Sequence, residues 1–228
     1  MDLLVVGAGE MGRWFGRASG ANAVAFADRD PAVAREAADD VDGARSVDLD
    51  GEERFEVVCV AVPMPATPGA VAKHADRATE AVCDVSGEMD DAVAALQEHA
   101  AERERASFHP LFSAANAPGN VPVVVGRDGP CLEGIRERLS AAGNRVFETT
   151  PTEHDRAMET VQAKAHAAVL ALVEPQLEGV LPERLPDDGR VGPALDVLVN
   201  LLGVDRTDVP QVAGVLEDGV DVGHPSFS

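Results

Sequence analysis

The chain has 228 residues, of which 40 are Asp or Glu and 19 are Lys or Arg, so its formal net charge is −21. Binding to nucleic acid or to an anionic membrane surface is not expected, because both require a basic face. Since the acidic residues are spread along the whole chain, we interpret them as a solvated surface adapted to high salt rather than a local acidic tail or mask. Such a surface is typical of proteins from salt-accumulating archaea.

The first 150 residues alternate short apolar runs with helical patterns. Strands are predicted at 3–6, 23–27, 56–62, 81–85, 106–109, 121–125 and 145–147, and helices at 10–19, from Pro31 onward, at 90–101 and at 132–142. Several strand runs are continuously apolar, which suits strands that are buried on both faces of a parallel sheet. The alternation predicts an α/β fold, a Rossmann-type doubly wound and mostly parallel sheet.

The pattern changes at Thr150. Thr150, Pro151 and Glu153 form a helix start, with a capping threonine, a proline in the first turn and the glutamate of a capping box. A helix of about twenty residues and two shorter helical patterns follow. We therefore predict a dinucleotide-binding domain over residues 1–150 and a small all-α domain over residues 151–228. Because so small a helical segment has little core of its own, a homodimer through these helices is expected.

The cysteines show no metal-binding or paired pattern. Cys59, Cys83 and Cys131 lack C-x-x-C spacing, and we predict reduced core thiols in a cytoplasmic protein. The first residues have the pattern of a strand rather than a signal peptide, and no apolar run approaches the roughly 20 residues that a membrane span needs. The sequence also lacks a metal-ligand cluster, a G-x-S-x-G motif and a P-loop, so no metal site, serine hydrolase or kinase is predicted.

The clearest motif is Gly7-Ala8-Gly9-Glu10-Met11-Gly12, which matches G-x-G-x-x-G. It follows a strand and opens a helix, the context in which this motif binds a dinucleotide. Gly7 permits the tight turn, Gly9 lets the backbone approach a pyrophosphate, and Gly12 lets the helix pack close to the sheet. Glu10 and Met11 lie at the helix N-terminus, where free N–H groups favour an anion. The alternative is a strand–helix turn that merely needs glycine.

Asp28 ends the second predicted strand, sixteen residues after Gly12. A carboxylate at this point accepts hydrogen bonds from the adenine ribose and repels a 2′-phosphate, so it predicts NAD rather than NADP. The neighbouring Arg29 favours the opposite choice, since an arginine can receive a 2′-phosphate. Asp28 is otherwise explained as an ordinary turn residue before Pro31.

Three histidines are candidates for chemistry. His109 ends a predicted strand, and ligands of Rossmann proteins lie at the carboxyl ends of strands, so His109 is a candidate acid or base. Its alternative is a capping histidine without chemistry. His154 lies in the first turn of the long helix, where polar residues are common in any case. His166 lies in mid-helix one turn after Gln162, and it either lines a pocket or belongs to the core.

Four segments together resemble the prephenate dehydrogenase family. They are the opening Leu-Val-Val-Gly-Ala-Gly-Glu-Met-Gly, the run Val57-Val58-Cys59-Val60-Ala61-Val62-Pro63, the segment Phe108-His109-Pro110-Leu111-Phe112, and Glu153-His154-Asp155-Arg156-Ala157-Met158 followed by Val161-Gln162-Ala163-Lys164-Ala165-His166. The resemblance covers about residues 1–175 of the sequence. It implies an NAD-dependent oxidative decarboxylation of prephenate or arogenate in tyrosine biosynthesis.

The resemblance also implies roles for particular residues. His109 would be the catalytic histidine, hydrogen-bonded to the substrate hydroxyl, and His154 would be structural or would lie behind the site. The substrate pocket would include His166, Gln162 and Ser86, although the family usually has its serine one position later and a lysine after it. The cofactor would also contact Val62 and Pro63. No motif selects the arginine that binds the substrate carboxylate.

Two further hypotheses stay open at this point. One is another small two-domain reductase that acts on an imine or a hydroxy acid with NAD or NADP. Such reductases share the glycine motif but lack the His-Pro-Leu-Phe and Glu-His-Asp segments found here. The other is a dinucleotide-binding regulator that kept the fold and lost the substrate site, which the short helical domain and the missing lysine favour.

Overall fold

A computed structural model describes residues 1–87 and 89–158 of the chain. In this part of the chain one eight-stranded sheet carries helices on both faces. The strands are β1 (Asp2–Val6), β2 (Ala23–Ala27), β3 (Arg45–Ser46), β4 (Phe55–Val60), β5 (Ala78–Asp84), β6 (Glu104–Phe108), β7 (Asn120–Arg127) and β8 (Arg145–Glu148). The helices are α1 (Glu10–Ala18), α2 (Pro31–Asp39), α3 (Thr67–His74), α4 (Asp90–His99) and α5 (Pro130–Ala141), and residues 151–158 are also helical.

The strand order is β3-β2-β1-β4-β5-β6-β7-β8. Neighbouring strands are parallel except for the antiparallel pair β6 and β7. The chain leaves β1 toward β2 on one side and later returns to β4 on the other side of β1. The order therefore reverses between β1 and β4, which is where open α/β sheets bind their ligands.

Two apolar clusters lie on opposite faces of the sheet. One joins the sheet to α1, α2 and α5 through buried side chains such as Phe15, Ala37 and Ile135. The other joins it to α3 and α4 through residues such as Val71 and Leu96. Helices thus cover both faces, which explains the continuous apolar runs of the central strands. The predicted Rossmann-type doubly wound fold is confirmed for the described residues.

Two elements of the structure are not predicted by the sequence patterns. Helix α3 was not predicted, because it has only eight residues, includes Gly69 and has a weak apolar stripe, although Pro68 in its first turn is a typical helix start. Strand β3 has two exposed residues at the sheet edge, too short for a pattern. Strand β4 ends at Val60, two residues before the predicted end, and β5 begins at Ala78, three residues before the predicted start.

The predicted capping box at Thr150 is confirmed. The Glu153 backbone N–H donates to the Thr150 hydroxyl at 3.3 Å, and the Thr150 backbone N–H donates to the Glu153 carboxylate at 3.3 Å. The chain divides into two units, Met1–Ala165 and His166–Ser228. Gln162, His166 and the rest of the predicted helical domain after residue 158 lie outside the described residues, so these predictions, the homodimer and the domain boundary at residue 150 stay predictions.

The cysteine side chains have the environments expected of core thiols. Cys59 and Cys83 are fully buried neighbours on β4 and β5, and burial raises the pKa of the Cys59 thiol. Cys131 is half-buried at the start of α5. Within the described ranges no helix is long and apolar enough to cross a membrane, and no group of His, Cys, Asp or Glu side chains is arranged to hold a metal ion.

Candidate active site

The glycine motif forms the turn between β1 and α1. Gly7 has a φ of +99°, and a Cβ at this position would lie 2.3 Å from the Ala61 carbonyl oxygen at the end of β4. A Cβ at Gly12 would lie 2.0 Å from the Gly7 carbonyl oxygen. Both contacts are with backbone, which cannot move aside, so these two positions require glycine. A Cβ at Gly9, in contrast, would meet no atom within 4 Å.

The same turn presents the N-terminus of α1 to the open space at Gly9. No side chain caps this helix, whose N-cap residue is Gly9. The N–H groups of its first turn, which includes Glu10 and Met11, can therefore donate to an external anion, and the helix dipole favours negative charge there. Backbone donors beside a position without a side chain fit the pyrophosphate of a dinucleotide.

Asp28 lies where the sequence placed it, directly after β2 and beside the glycine motif. Its Oδ2 accepts a hydrogen bond from the Ala8 N–H at 2.8 Å, and its Oδ1 accepts one from the Asp30 N–H at 3.0 Å. The nearby Arg13 is engaged with Asp40 at 2.6 Å, whereas Arg29 is exposed. The carboxylate is thus held beside the glycine motif, and its contact with an adenine ribose stays a prediction.

Val62 and Pro63 follow β4 on the other side of the glycine motif. A Cβ at Gly7 would lie 3.1 Å from a Val62 methyl group, so Val62 borders the motif directly. Pro63 then turns the chain into a short 3-10 segment that carries Met64, whose side chain is 46% exposed. Both predicted cofactor residues therefore lie beside the point between β1 and β4 where the strand order reverses. Their contact with a cofactor stays a prediction.

His109 immediately follows β6 at the same edge of the sheet. Its backbone N–H donates to the Pro122 carbonyl on β7 at 3.0 Å, which fixes the start of the loop. On one side of the ring, Nδ1 lies 2.7 Å from His154 Nε2. On the other side, a Cβ at Gly87 would lie 3.4 Å from His109 Nε2 and 2.8 Å from Met64 Sδ. The ends of β4, β5 and β6 thus meet around Nε2.

The imidazole of His109 is neutral near pH 7. Burial, together with the proximity of His154, lowers its pKa from 6.5 to about 4, although the Asp155 carboxylate opposes the shift. A neutral imidazole has one nitrogen that can accept a proton. His109 is therefore in the protonation state of a general base, with one ring nitrogen beside the backbone of Gly87.

His154 is more closely tied to the site than the sequence suggested. Its side chain is buried, its Nε2 contacts His109, and its Nδ1 lies 2.7 Å from Asp155 Oδ1. The capping box at Thr150 sets the start of the helix and so places His154 one turn in, in contact with His109. The sequence contained the Glu-His-Asp segment, but its contact with His109 joins residues 45 positions apart.

Ser86 belongs to a buried polar network at the end of β5. Its hydroxyl pairs with the Thr67 hydroxyl of α3 at 2.9 Å, and its N–H donates to Asp84 Oδ1 at 2.9 Å. The Ser107 hydroxyl donates to the same oxygen at 3.1 Å. The Ser86 hydroxyl is thus already paired within the protein, and its role in binding substrate stays a prediction. Gly87, one position later, is the residue that borders His109.

Asp84 makes this network sensitive to pH. Its side chain is fully buried, and its Oδ2 has no hydrogen-bond partner among the described residues. Burial raises its pKa from 3.8 to about 6, although hydrogen bonds from Ser86 and Ser107 oppose the shift. The folded state then binds more protons than the unfolded state between these two values. The free energy of unfolding therefore falls as the pH rises from about 4 to about 6.

We expect Asp84→Asn to remove this fall in the free energy of unfolding with rising pH. Relative to the unmodified protein, its free energy of unfolding should gain about 3 kcal/mol between about pH 4 and about pH 7, since one pKa unit corresponds to about 1.4 kcal/mol. Urea unfolding at high salt across this range measures the difference. Asp39→Asn, an exposed carboxylate on α2, is the matched control and should show no such gain. Parallel stability curves for Asp84→Asn and the unmodified protein would contradict the expectation.

The sequence is similar to that of a known dehydrogenase. No protein-family model matches the chain. It is 32% identical over 183 residues to a 4-amino-4-deoxyprephenate dehydrogenase from Streptomyces pristinaespiralis, in an alignment that covers 74% of this chain. The chain spans 60% of the length of that relative.

Two solved structures share the fold. A prephenate dehydrogenase from Aquifex aeolicus, in complex with hydroxyphenyl propionate and NAD+, superposes with a TM-score of 0.66 at 18% identity, covering 95% of this chain and 85% of the other. An arogenate dehydrogenase from Synechocystis superposes with a TM-score of 0.58 at 17% identity, covering 96% and 92%. The chain therefore has the Rossmann-type fold of these dehydrogenases and is similar in sequence to a 4-amino-4-deoxyprephenate dehydrogenase.

Proposed function

We propose that this chain is an NAD-dependent dehydrogenase of the prephenate and arogenate type. One observation carries the proposal: a half-buried, neutral histidine has one ring nitrogen beside a glycine, at the sheet edge that also bears the glycine motif. The sequence similarity to a 4-amino-4-deoxyprephenate dehydrogenase supports the substrate class. The solved complex of a similarly folded prephenate dehydrogenase with NAD+ supports the choice of cofactor.

The residues at this edge then have separate tasks. The backbone at Gly9 and the N-terminus of α1 would hold the pyrophosphate, and Asp28 would hold the adenine ribose. Bound NAD would supply the acceptor for the hydride that leaves the ring carbon bearing the hydroxyl. His109 Nε2 would accept the proton of the ring hydroxyl, and loss of the ring carboxylate as carbon dioxide leaves an aromatic product. A side chain at position 87 would crowd Met64 and His109, so glycine at this position keeps a further side chain away from Nε2.

The group on the substrate ring is the part of the proposal that needs a direct test. A neutral His109 can accept a proton from a hydroxyl group or from an ammonium group. Prephenate, arogenate and 4-amino-4-deoxyprephenate therefore all fit its chemistry. NAD reduction should be measured with prephenate, arogenate and 4-amino-4-deoxyprephenate in about 1 M KCl, where long-range charge repulsion is screened. Turnover of at least one is expected. A folded protein that binds NAD and turns over none would overturn the proposal and favour a regulator.

We expect NAD to bind at least about tenfold more tightly than NADP, a difference of about 1.4 kcal/mol. The reason is that the Ala8 N–H holds the Asp28 carboxylate beside the glycine motif. There the carboxylate would accept a hydrogen bond from the 2′-hydroxyl of the adenine ribose and repel a 2′-phosphate. Calorimetric titration of both cofactors at high salt measures the ratio. Asp28→Ala should reduce the preference, and Arg29→Ala is the matched control. Equal or tighter binding of NADP, with the preference changed by Arg29→Ala, would show that Arg29 sets it instead.

A further inference from the structure

A row of three side chains leads away from the free face of His109. His109 Nδ1 lies 2.7 Å from His154 Nε2, and His154 Nδ1 lies 2.7 Å from Asp155 Oδ1. The two imidazole rings meet edge to face, with centroids 4.8 Å apart and planes at 64°. His154 is buried, whereas the Asp155 side chain is 31% exposed. The row thus connects a buried ring to a partly solvated carboxylate.

The chemistry of the three groups fixes which atoms carry protons. An ionised carboxylate can only accept hydrogen bonds, so His154 must donate to Asp155 through Nδ1. A neutral imidazole has one N–H and one acceptor nitrogen, so His154 Nε2 must accept the hydrogen bond from His109 Nδ1. The neutral His109 ring then has its lone pair on Nε2, the nitrogen that faces Gly87 and Met64.

We propose that His154 and Asp155 are positioning residues that hold His109 in the tautomer whose Nε2 can accept the substrate proton. The proposal rests on the proposed function for its kinetic consequences but not for the tautomer itself. The His154 contact is the one side-chain hydrogen bond to the His109 ring within residues 1–87 and 89–158. Without it, either ring nitrogen of His109 could carry the proton, and the ring could rotate.

The surroundings of the row determine its response to pH. The ionisable groups that face it are Asp155 and His154 themselves, and Asp90 at the start of α4, which contacts Asp155. Partial desolvation and the Asp155 carboxylate raise the pKa of Asp90. Gly87 and Met64, on the far side of His109, do not titrate. Replacing His154 by a small residue therefore reduces the burial of His109, and this change raises the pKa of His109 toward its ordinary value.

The first arm of the test is kinetic and uses the full-length protein with whichever substrate it turns over. His154→Ala should lower kcat by roughly 10- to 100-fold, the effect that removing a residue that orients a metal-ligating histidine typically has. It should also move the acidic limb of the kcat/KM profile to higher pH, while NAD affinity is retained. His154→Gln, whose amide can accept from His109 Nδ1, should restore most of kcat. His99→Gln, on the partly exposed end of α4, is the matched control.

The second arm needs no turnover and so separates this proposal from the proposed function. Nitrogen-15 NMR of histidine-labelled protein reports which ring nitrogen carries the proton, and His109→Asn identifies the His109 signals. We expect a protonated Nδ1 and an unprotonated Nε2 in the unmodified protein, and a mixture of tautomers in Asp155→Asn. A proton on Nε2 of His109 in the unmodified protein would overturn the proposal. So would a His154→Ala variant that loses thermal stability but keeps kcat, with glutamine no better than alanine.

Discussion

His109→Asn should lower kcat by roughly 10²- to 10⁴-fold, the contribution that a positioned general acid or base typically makes. The geometry gives the reason. His109 Nε2 borders Gly87, burial lowers its pKa to about 4, and the ring is therefore a base near neutral pH. Asparagine keeps a side chain of similar size and a donor near the position of Nδ1, but it cannot take a proton. NAD affinity should change little, because the glycine motif lies in the separate turn between β1 and α1.

Melting temperature, NAD affinity and kcat should be measured on the same preparation of this variant. Loss of the His109 contact with His154 would lower stability to some extent, so kcat must be referred to the folded fraction. If His109 were only a capping residue, the variant would be less stable but would turn over normally once folded. A folded, NAD-binding variant with near-normal kcat would remove His109 from the mechanism and leave His166 as the next candidate.

Gly9→Ala and Gly12→Ala should separate cofactor binding from folding. At Gly12 the new Cβ would lie 2.0 Å from a backbone oxygen, and overpacking of this kind typically costs about 1–3 kcal/mol or more. At Gly9 the new Cβ meets no protein atom within 4 Å, so the fold should be retained. It would enter the space beside the N-terminus of α1 where a pyrophosphate would lie. We therefore expect NAD affinity to fall at least about tenfold, or about 1.4 kcal/mol.

Gly134→Ala in α5 is the matched control for both variants, since its new Cβ also meets nothing within 4 Å and lies in a helix away from the motif. It should raise stability by about 0.5–1 kcal/mol and leave NAD binding unchanged. Urea unfolding and calorimetric titration give the two quantities for each variant. Gly9→Ala binding NAD as tightly as the unmodified protein would place the pyrophosphate elsewhere. Gly12→Ala with unchanged stability would show that α1 does not pack as closely as described.

Much of the fold followed from local patterns in the sequence. The continuous apolar runs in β1 and β4 and the alternation of strand and helix were sufficient for the Rossmann prediction, because strands buried on both faces consist mainly of apolar residues. The capping box at Thr150 and the glycine motif were also recognised, since both depend on neighbours within a few residues. Helix α3 escaped because its pattern is short and weak, and its packing on the sheet through Val71 stabilises it.

Short-range spacing was therefore sufficient to predict the class of fold, the glycine turn between β1 and α1, and His109 as a candidate base. Only the tertiary structure decided how the candidate residues meet. It placed His154 against His109 across 45 positions of sequence, paired Ser86 with Thr67 instead of leaving its hydroxyl open, and made Gly87 the neighbour of His109 Nε2. The physical reason is that parallel strands bring distant loops to one edge of the sheet. Contacts between those loops depend on packing that no local pattern encodes.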